Sequence, residues 1–109
     1  MKDNKLLADY LGEKVKEFTW KETTYLIAEH IDPICDPFFD FRIWCPNTNW
    51  NQLMRIVEKV EREVLTVGID RNYCLIVSKK GEWKPIHIQE STKIEAVYTA
   101  CVKYVKQQP

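Results

Sequence analysis

The chain has 109 residues, of which 45% are hydrophobic and 29% are charged, a composition typical of a folded domain rather than a disordered chain. Sixteen basic residues balance sixteen acidic ones, so no overall positive field favours nonspecific nucleic-acid binding. The first 17 residues contain only short apolar stretches between charges, which predicts neither a secretory segment nor a membrane span. We therefore expect a single domain over residues 1–109 in the cytoplasm.

The first third of the chain predicts one short helix, one strand and an unusual loop. Apolar spacing favours a helix over about residues 5–16, which Gly12 stops or loosens. Residues 22–31 are rich in β-branched and aromatic side chains, which predicts the first strand. The loop at 32–46, DPICDPFFDFRIWCP, combines three prolines with four aromatic residues. Because loops are normally polar, this one either folds onto the core or stays apolar to meet a partner.

The remaining chain predicts a helix, strands and a final helix. Trp50 begins the apolar face of a helix running to about residue 63, and we expect its side chain in the core. Residues 65–69, 73–78 and 83–89 have strand chemistry, and the alternation in the last places Ile86 and Ile88 toward the core and His87 on the other face. A helix over 92–106 closes the chain.

Both long helices begin with the spacing of a capping box. Asn49 is followed three residues later by Gln52, and Thr92 by Glu95. The order of elements predicts an α+β fold, in which a small antiparallel sheet of three to four strands packs with two long helices and a short N-terminal helix.

Catalytic and metal-binding chemistry is weakly represented. Cys74 and Cys101 fall at apolar positions and are expected to be buried, and free thiols are expected throughout, although Cys35 and Cys45 flank the loop and a bridge between them stays an alternative. No nucleophile motif or glycine-rich phosphate loop is present, so we predict no enzyme activity, no metal and no cofactor. Potential metal ligands without a recognised spacing, which turn formation explains better, are His30, Asp32, Cys35, Asp36 and Asp40.

Aromatic residues carry the remaining signal for function. Tryptophan, tyrosine and phenylalanine dominate the hot spots of protein interfaces, but they fill cores equally well. In the loop they alternate, so one subset can face inward and the other outward. The predicted partner-binding residues are Phe38, Phe39, Phe41 and Trp44.

Three segments resemble a known family. Residues 44–60, WCPNTNWNQLMRIVEKV, are similar to the tryptophan-led W(N/D)xLMxVVEKI helix of small bacteriophage and prophage proteins, especially from Bacteroidetes. Residues 93–98 and 102–105 resemble the final helix of the same α-β-α sandwich domain, and residues 7–12 resemble its opening helix. The chain departs from the motif at Arg55, where the family often has proline, and the loop at 32–46 lies outside the pattern.

The resemblance implies a compact phage accessory protein without agreed catalytic residues. By analogy with small phage proteins that block host defence nucleases, including anti-CRISPR inhibitors, we expect it to bind and inhibit or adapt a host protein or nucleoprotein complex in the host cytoplasm. A self-associating structural protein, with a homodimer through the loop, is one alternative. The other is a nucleic-acid or nucleoprotein binder that would use Lys79, Lys80, Trp83 and Lys84.

Overall fold

A computed structural model describes residues 2–28 and 43–108 of the chain. The chain divides into two compact units, Met1–Cys45 and Pro46–Pro109, which are taken separately below. The described residues form three helices and two small antiparallel sheets, of two and three strands, so the predicted α+β class is confirmed. The described strands lie in two sheets rather than in the single sheet that we predicted. One domain over 1–109 stays a prediction.

The first unit opens with helix α1, Lys2–Leu11. Gly12 follows it with a φ of 84°, a left-handed conformation that glycine adopts without a steric penalty, and the Glu13 amide donates to the Ala8 carbonyl at 2.9 Å. The helix therefore ends five residues earlier than the predicted residue 16. Val15, which falls within the predicted helix, begins a strand instead.

Strands β1, Val15–Trp20, and β2, Thr23–Ala28, form an antiparallel hairpin. The turn between them consists of Lys21 and Glu22, with φ values of 48° and 66°. Two positive φ angles give the turn a twist that matches paired strands, although glycine or asparagine usually occupies such positions. That absence of turn residues explains why the sequence predicted only the second strand.

Trp44 is an internal side chain of the first unit. Its backbone amide donates to the Leu26 carbonyl at 2.7 Å, next to an isolated bridge between Ile27 and Ile43. Its indole N–H donates to the carbonyl of Asn4 in α1 at 2.6 Å, and the side chain is 5% exposed. Trp44 thus connects the helix to the hairpin of the same unit.

Helix α2, Trp50–Glu63, opens the second unit with the predicted bounds. The Asn49 side chain caps it by accepting from the Gln52 amide at 3.1 Å. Trp50 was predicted to lie in the core, but it is 38% exposed, so that prediction is wrong. It is the first helical residue, and the buried face begins one turn later. The buried residues of the helix are Leu53, Ile56, Val57 and Val60.

Three antiparallel strands follow in the spatial order β3-β4-β5: Thr66–Asp70, Tyr73–Val77 and Ile86–Gln89. The predicted turn after Asp70 is present, with Arg71 at a φ of 51°. Asn72 ties it to the end of β5, because its side-chain amide donates to the Glu90 carbonyl at 2.8 Å and its carbonyl accepts from the Glu90 amide at 3.1 Å. Strand β5 begins three residues later than predicted, after Pro85, which lacks an N–H for the ladder.

Helix α3, Lys93–Lys106, packs against β4 and β5 and also contacts α2 and β3. Thr92 caps it by accepting from the Glu95 amide at 3.3 Å, as its spacing predicted. Cys74 of β4 and Cys101 of α3 are fully buried, which confirms their prediction as core residues. No helix in the described ranges, 2–28 and 43–108, is long and apolar enough to cross a membrane.

Candidate functional site

Side-chain alternation gives the three-stranded sheet two different faces. The packed face is covered by α3 and consists of Val67, Ile69, Cys74, Ile76, Ile86 and Ile88. The opposite face, which we call the open face, consists of Thr66, Gly68, Asp70, Tyr73, Leu75, Val77, His87 and Gln89. As predicted, Ile86 lies toward the core and His87 on the other face.

The open face carries large apolar surface. Strand pairing places Leu75 between Gly68 and His87 in one row across the sheet, and the side chain of Leu75 is 37% exposed. Tyr73 is 36% exposed, and its ring stacks on the His87 ring of the next strand, with centroids 5.3 Å apart and planes 10° from parallel. Such diagonal aromatic neighbours are within reach across antiparallel strands and fix each other's orientation.

A hollow of about 700 Å³ lies on this face. The residues that line it are Gly68, Asp70, Tyr73, Leu75 and His87 of the open face, together with Ile69 of the packed face. Volumes of several hundred Å³ with mainly apolar walls and a few polar groups are typical of binding sites. The hollow is therefore shaped to receive another molecule's side chain.

Gly68 makes room for the hollow without being required by the fold. Its φ is not in the left-handed region, unlike those of Gly12 and Gly81. A β-carbon at position 68 would meet only the Leu75 Cβ at 3.9 Å, an ordinary contact distance. Glycine inside a strand weakens it, and it often marks a place where another molecule approaches closely. Neither backbone conformation nor crowding requires glycine here.

Asp70 gives the hollow a negative charge. Strand pairing sets it directly opposite Tyr73, so carboxylate and aromatic ring share one row of the open face. Its side chain forms no hydrogen bond or ion pair with any other residue in ranges 2–28 and 43–108. The other lining residues bear no formal charge when the histidine is neutral. The site thus combines aromatic and aliphatic walls with one carboxylate that has no partner among the described residues.

The thiols of Cys74 and Cys101 are poor nucleophiles. Burial raises the pKa of Cys74 to about 11, and burial, with a smaller effect from the nearby Cys74, raises the pKa of Cys101 to about 12. Both thiols are therefore protonated near neutral pH. The nucleophile is the thiolate, so a protonated thiol is unreactive. Ser78 is also buried, and its hydroxyl has no hydrogen-bond partner in the described chain.

The described ranges contain no group of three or more histidine, cysteine or acidic residues able to hold a metal ion. The weak ligand cluster that we considered in the sequence lies outside these ranges, so its interpretation as turn residues stays a prediction. The members of that cluster are His30, Asp32, Cys35, Asp36 and Asp40.

The predicted partner-binding residues are placed only in part. Phe38, Phe39 and Phe41 lie outside the described residues. Trp44 is buried, with its indole N–H bonded within the first unit, so in this structure it is a core residue and not a surface anchor.

The residues predicted for nucleic-acid binding differ in their surroundings. Lys79 donates to the Arg62 carbonyl at the end of α2 at 3.2 Å, while Lys80 and Lys84 are exposed. Trp83 is half-buried, and its ring lies against Tyr104 with centroids 5.9 Å apart. Part of the tryptophan surface is therefore used inside the second unit, which leaves less of it for stacking on a base.

Sequence reasoning missed the open face. A signal for it exists in β4, where Tyr73, Leu75 and Val77 are as apolar as the two residues between them. A strand that is apolar on both sides is either covered twice or exposes apolar surface.

Comparisons of this chain with protein-family models, curated proteins and solved structures find no match.

Proposed function

We propose that this chain is a non-catalytic binding protein that inhibits or adapts a host protein by covering part of that protein's surface with its open face. The observation that carries the proposal is the exposed row of Gly68, Leu75 and His87, flanked by Tyr73, on a sheet whose other face is already packed. The scaffold is the three-stranded sheet with its two helices. A phage origin and a role in evading host defence belong to the same proposal, supported by the sequence resemblance.

The open face has the composition of an interface centre. Aromatic and aliphatic side chains that are half exposed in the free protein gain most from burial against a partner, and such residues dominate binding hot spots.

A protein partner fits this face better than a nucleic acid does. None of the eight open-face residues is a lysine or an arginine, and Asp70 contributes a negative charge that would repel phosphates. The chain as a whole has no net charge. A nucleic-acid binder would need a different surface, formed by Lys80 and Lys84, and we rank it below the protein partner.

Site-specific photo-crosslinking tests the proposal. A photoreactive amino acid at position 75 should crosslink a host protein in lysate, whereas the same group at Glu61, an exposed residue of α2, should not. The recovered protein is then purified and titrated with the wild-type chain and with Leu75→Gln. We expect the variant to bind at least about tenfold more weakly, a loss of about 1.4 kcal/mol, because a polar group replaces an apolar contact at the interface centre.

Glu61→Gln serves as the matched control, because it also places a glutamine at an exposed position but belongs to α2 rather than to the open face. Unchanged affinity on Leu75→Gln, with an unchanged melting temperature, would exclude the open face as the interface. Sedimentation of the free chain addresses self-association. A dimer that Leu75→Gln dissociates would assign the face to a second copy instead of a host protein.

A further inference from the structure

Building on the proposed function, we infer that the hollow above Gly68 receives an arginine side chain of the partner protein. The hollow offers what a guanidinium group requires, namely an aromatic face, an adjacent carboxylate and apolar walls for the side-chain stem. The three features lie on neighbouring positions of two paired strands, because Asp70 is opposite Tyr73 and Gly68 is opposite Leu75.

Stacking is the first requirement. Tyr73 is held in orientation by its stack on His87, 5.3 Å away and nearly parallel, while 36% of the tyrosine stays exposed. A guanidinium group is planar and weakly hydrated, so it stacks on such a ring with little desolvation cost. A lysine ammonium is a strongly hydrated point charge and would gain less from the same ring.

Charge pairing is the second requirement. The Asp70 carboxylate is exposed and forms no ion pair with the other described residues, so both of its oxygens are available to the two-pronged geometry that arginine alone provides. An incoming tryptophan or leucine would fill the apolar space but would leave this carboxylate unpaired beside buried surface. The hollow therefore discriminates by charge as well as by shape.

Space is the third requirement. Because position 68 is glycine, no side chain projects from the open face of β3 between Thr66 and Asp70. A β-carbon at position 68 would contact the Leu75 Cβ at 3.9 Å. The arginine stem can lie in this gap and bury its methylene groups against Leu75, as long basic side chains commonly do on apolar surface. A larger side chain at 68 would occupy the gap itself.

Nuclear magnetic resonance titration with single blocked amino acids tests the inference on the isolated full chain. The probes are N-acetyl-arginine amide, with the lysine and tryptophan analogues as controls for charge and for planarity. We expect the arginine probe to shift the signals of Tyr73, Leu75 and His87, and to bind at least fivefold more tightly than either control. Saturation in the millimolar range is expected for one side chain.

Two variants locate the site. Asp70→Asn should weaken arginine binding at least fivefold and leave tryptophan binding unchanged, because it removes the charge and keeps the shape. Gly68→Val should abolish binding of the arginine probe, because its side chain fills the gap. We expect the melting temperature to be unchanged, because a β-carbon at 68 meets only the Leu75 Cβ at 3.9 Å and valine suits a strand. Thr66→Val, the same residue placed two positions earlier on the same strand face, is the matched control and should retain binding.

Equal binding of the lysine probe, tighter binding of the tryptophan probe, or no effect of Asp70→Asn would each overturn the arginine assignment. These outcomes leave the proposed function intact, because crosslinking at position 75 tests it independently. Conversely, the arginine probe could bind in the hollow while the Leu75→Gln variant keeps the wild-type affinity for the partner. That result would support the arginine site and would refute its use in the proposed interface.

Discussion

The packed face and the open face of the three-stranded sheet arise from the same strands, but they differ in what they contribute. On β4, Cys74 and Ile76 are fully buried under α3, while Leu75 between them is 37% exposed. All three residues are apolar, so hydrophobicity alone does not distinguish the faces. What distinguishes them is whether α3 covers them. One set of positions stabilises the fold, and we propose that the other serves recognition.

Truncating one residue on each face should separate the two contributions most strongly. We expect Ile76→Ala to lower the free energy of unfolding by about 2–5 kcal/mol, because it leaves a cavity under α3. Leu75→Ala should change it by only about 0.5 kcal/mol, since half-exposed positions lose little packing. Urea denaturation measures both. Similar losses for the two variants would mean that the open face is a second core surface.

Thiol chemistry offers a second test of the contrast. The pKa of Cys74 is raised to about 11 from 9.0 by burial, which lowers its thiolate fraction about a hundredfold near neutral pH. The thiol introduced by Leu75→Cys should therefore react with iodoacetamide at least about a hundredfold faster than Cys74 in the same molecule. Peptide mass spectrometry distinguishes the two positions. Comparable rates would show that α3 does not protect the packed face.

A hydrogen bond between α3, which covers the packed face, and α2 should contribute to the stability of the fold. Tyr104 of α3 is 3% exposed and donates its hydroxyl to the Glu63 carboxylate at the end of α2, at 3.0 Å. We expect Tyr104→Phe to lower the free energy of unfolding at pH 7 by about 0.5–1.5 kcal/mol. Urea denaturation at pH 7 measures the loss, and equal stability of variant and wild type would show that the bond contributes nothing.

The same substitution should alter the response to alkaline pH. Burial, the hydrogen bond to Glu63 and the charge of Glu63 raise the pKa of Tyr104 from 10.0 to about 12. The protonated form is thus favoured in the folded state. Its stabilising contribution is present below pH 10 and is lost as the pH rises through about 12. Between these values the wild-type chain should lose stability more steeply than Tyr104→Phe, as denaturation curves at several pH values would show.

The last prediction is a small increase in the free energy of unfolding instead of a decrease. Gly68→Ala on the open face should raise the free energy of unfolding by about 0.5–1 kcal/mol, because alanine restricts the unfolded chain and meets no clash. Gly81→Ala is the control. Gly81 has a φ of 63°, which alanine adopts only with strain, so that variant should lose stability. A loss at position 68 would show that glycine serves the fold there.

Periodicity and caps predicted the second unit well. Helix α2 has its predicted bounds, and Asn49 and Thr92 cap their helices as their spacing indicated. These signals are local, because each cap is decided within one turn of chain. The first unit was predicted less well. Strand β1 escaped notice because the turn at Lys21 and Glu22 contains no turn-forming residue, and only pairing with β2 reveals it.

The candidate site depends on information that no local pattern contains. Residues 73–77 predict a strand, but the sequence does not say which face a helix will cover. The hollow arises from three strands, since Gly68, Leu75 and His87 come together only through their pairing register. The aromatic loop drew attention because it is continuous in sequence. The open face is discontinuous, and its members look ordinary when read one at a time.

Gly68 has a consequence for anyone who redesigns this protein. A stability-directed redesign would replace it early, since a β-branched residue suits a strand and a β-carbon at 68 meets only Leu75, at an ordinary contact distance. Each such improvement would fill the hollow. If the hollow is the recognition site, the most thermostable relatives or designs of this chain would be those that have lost their partner, and selection for function alone would keep the weaker residue in place.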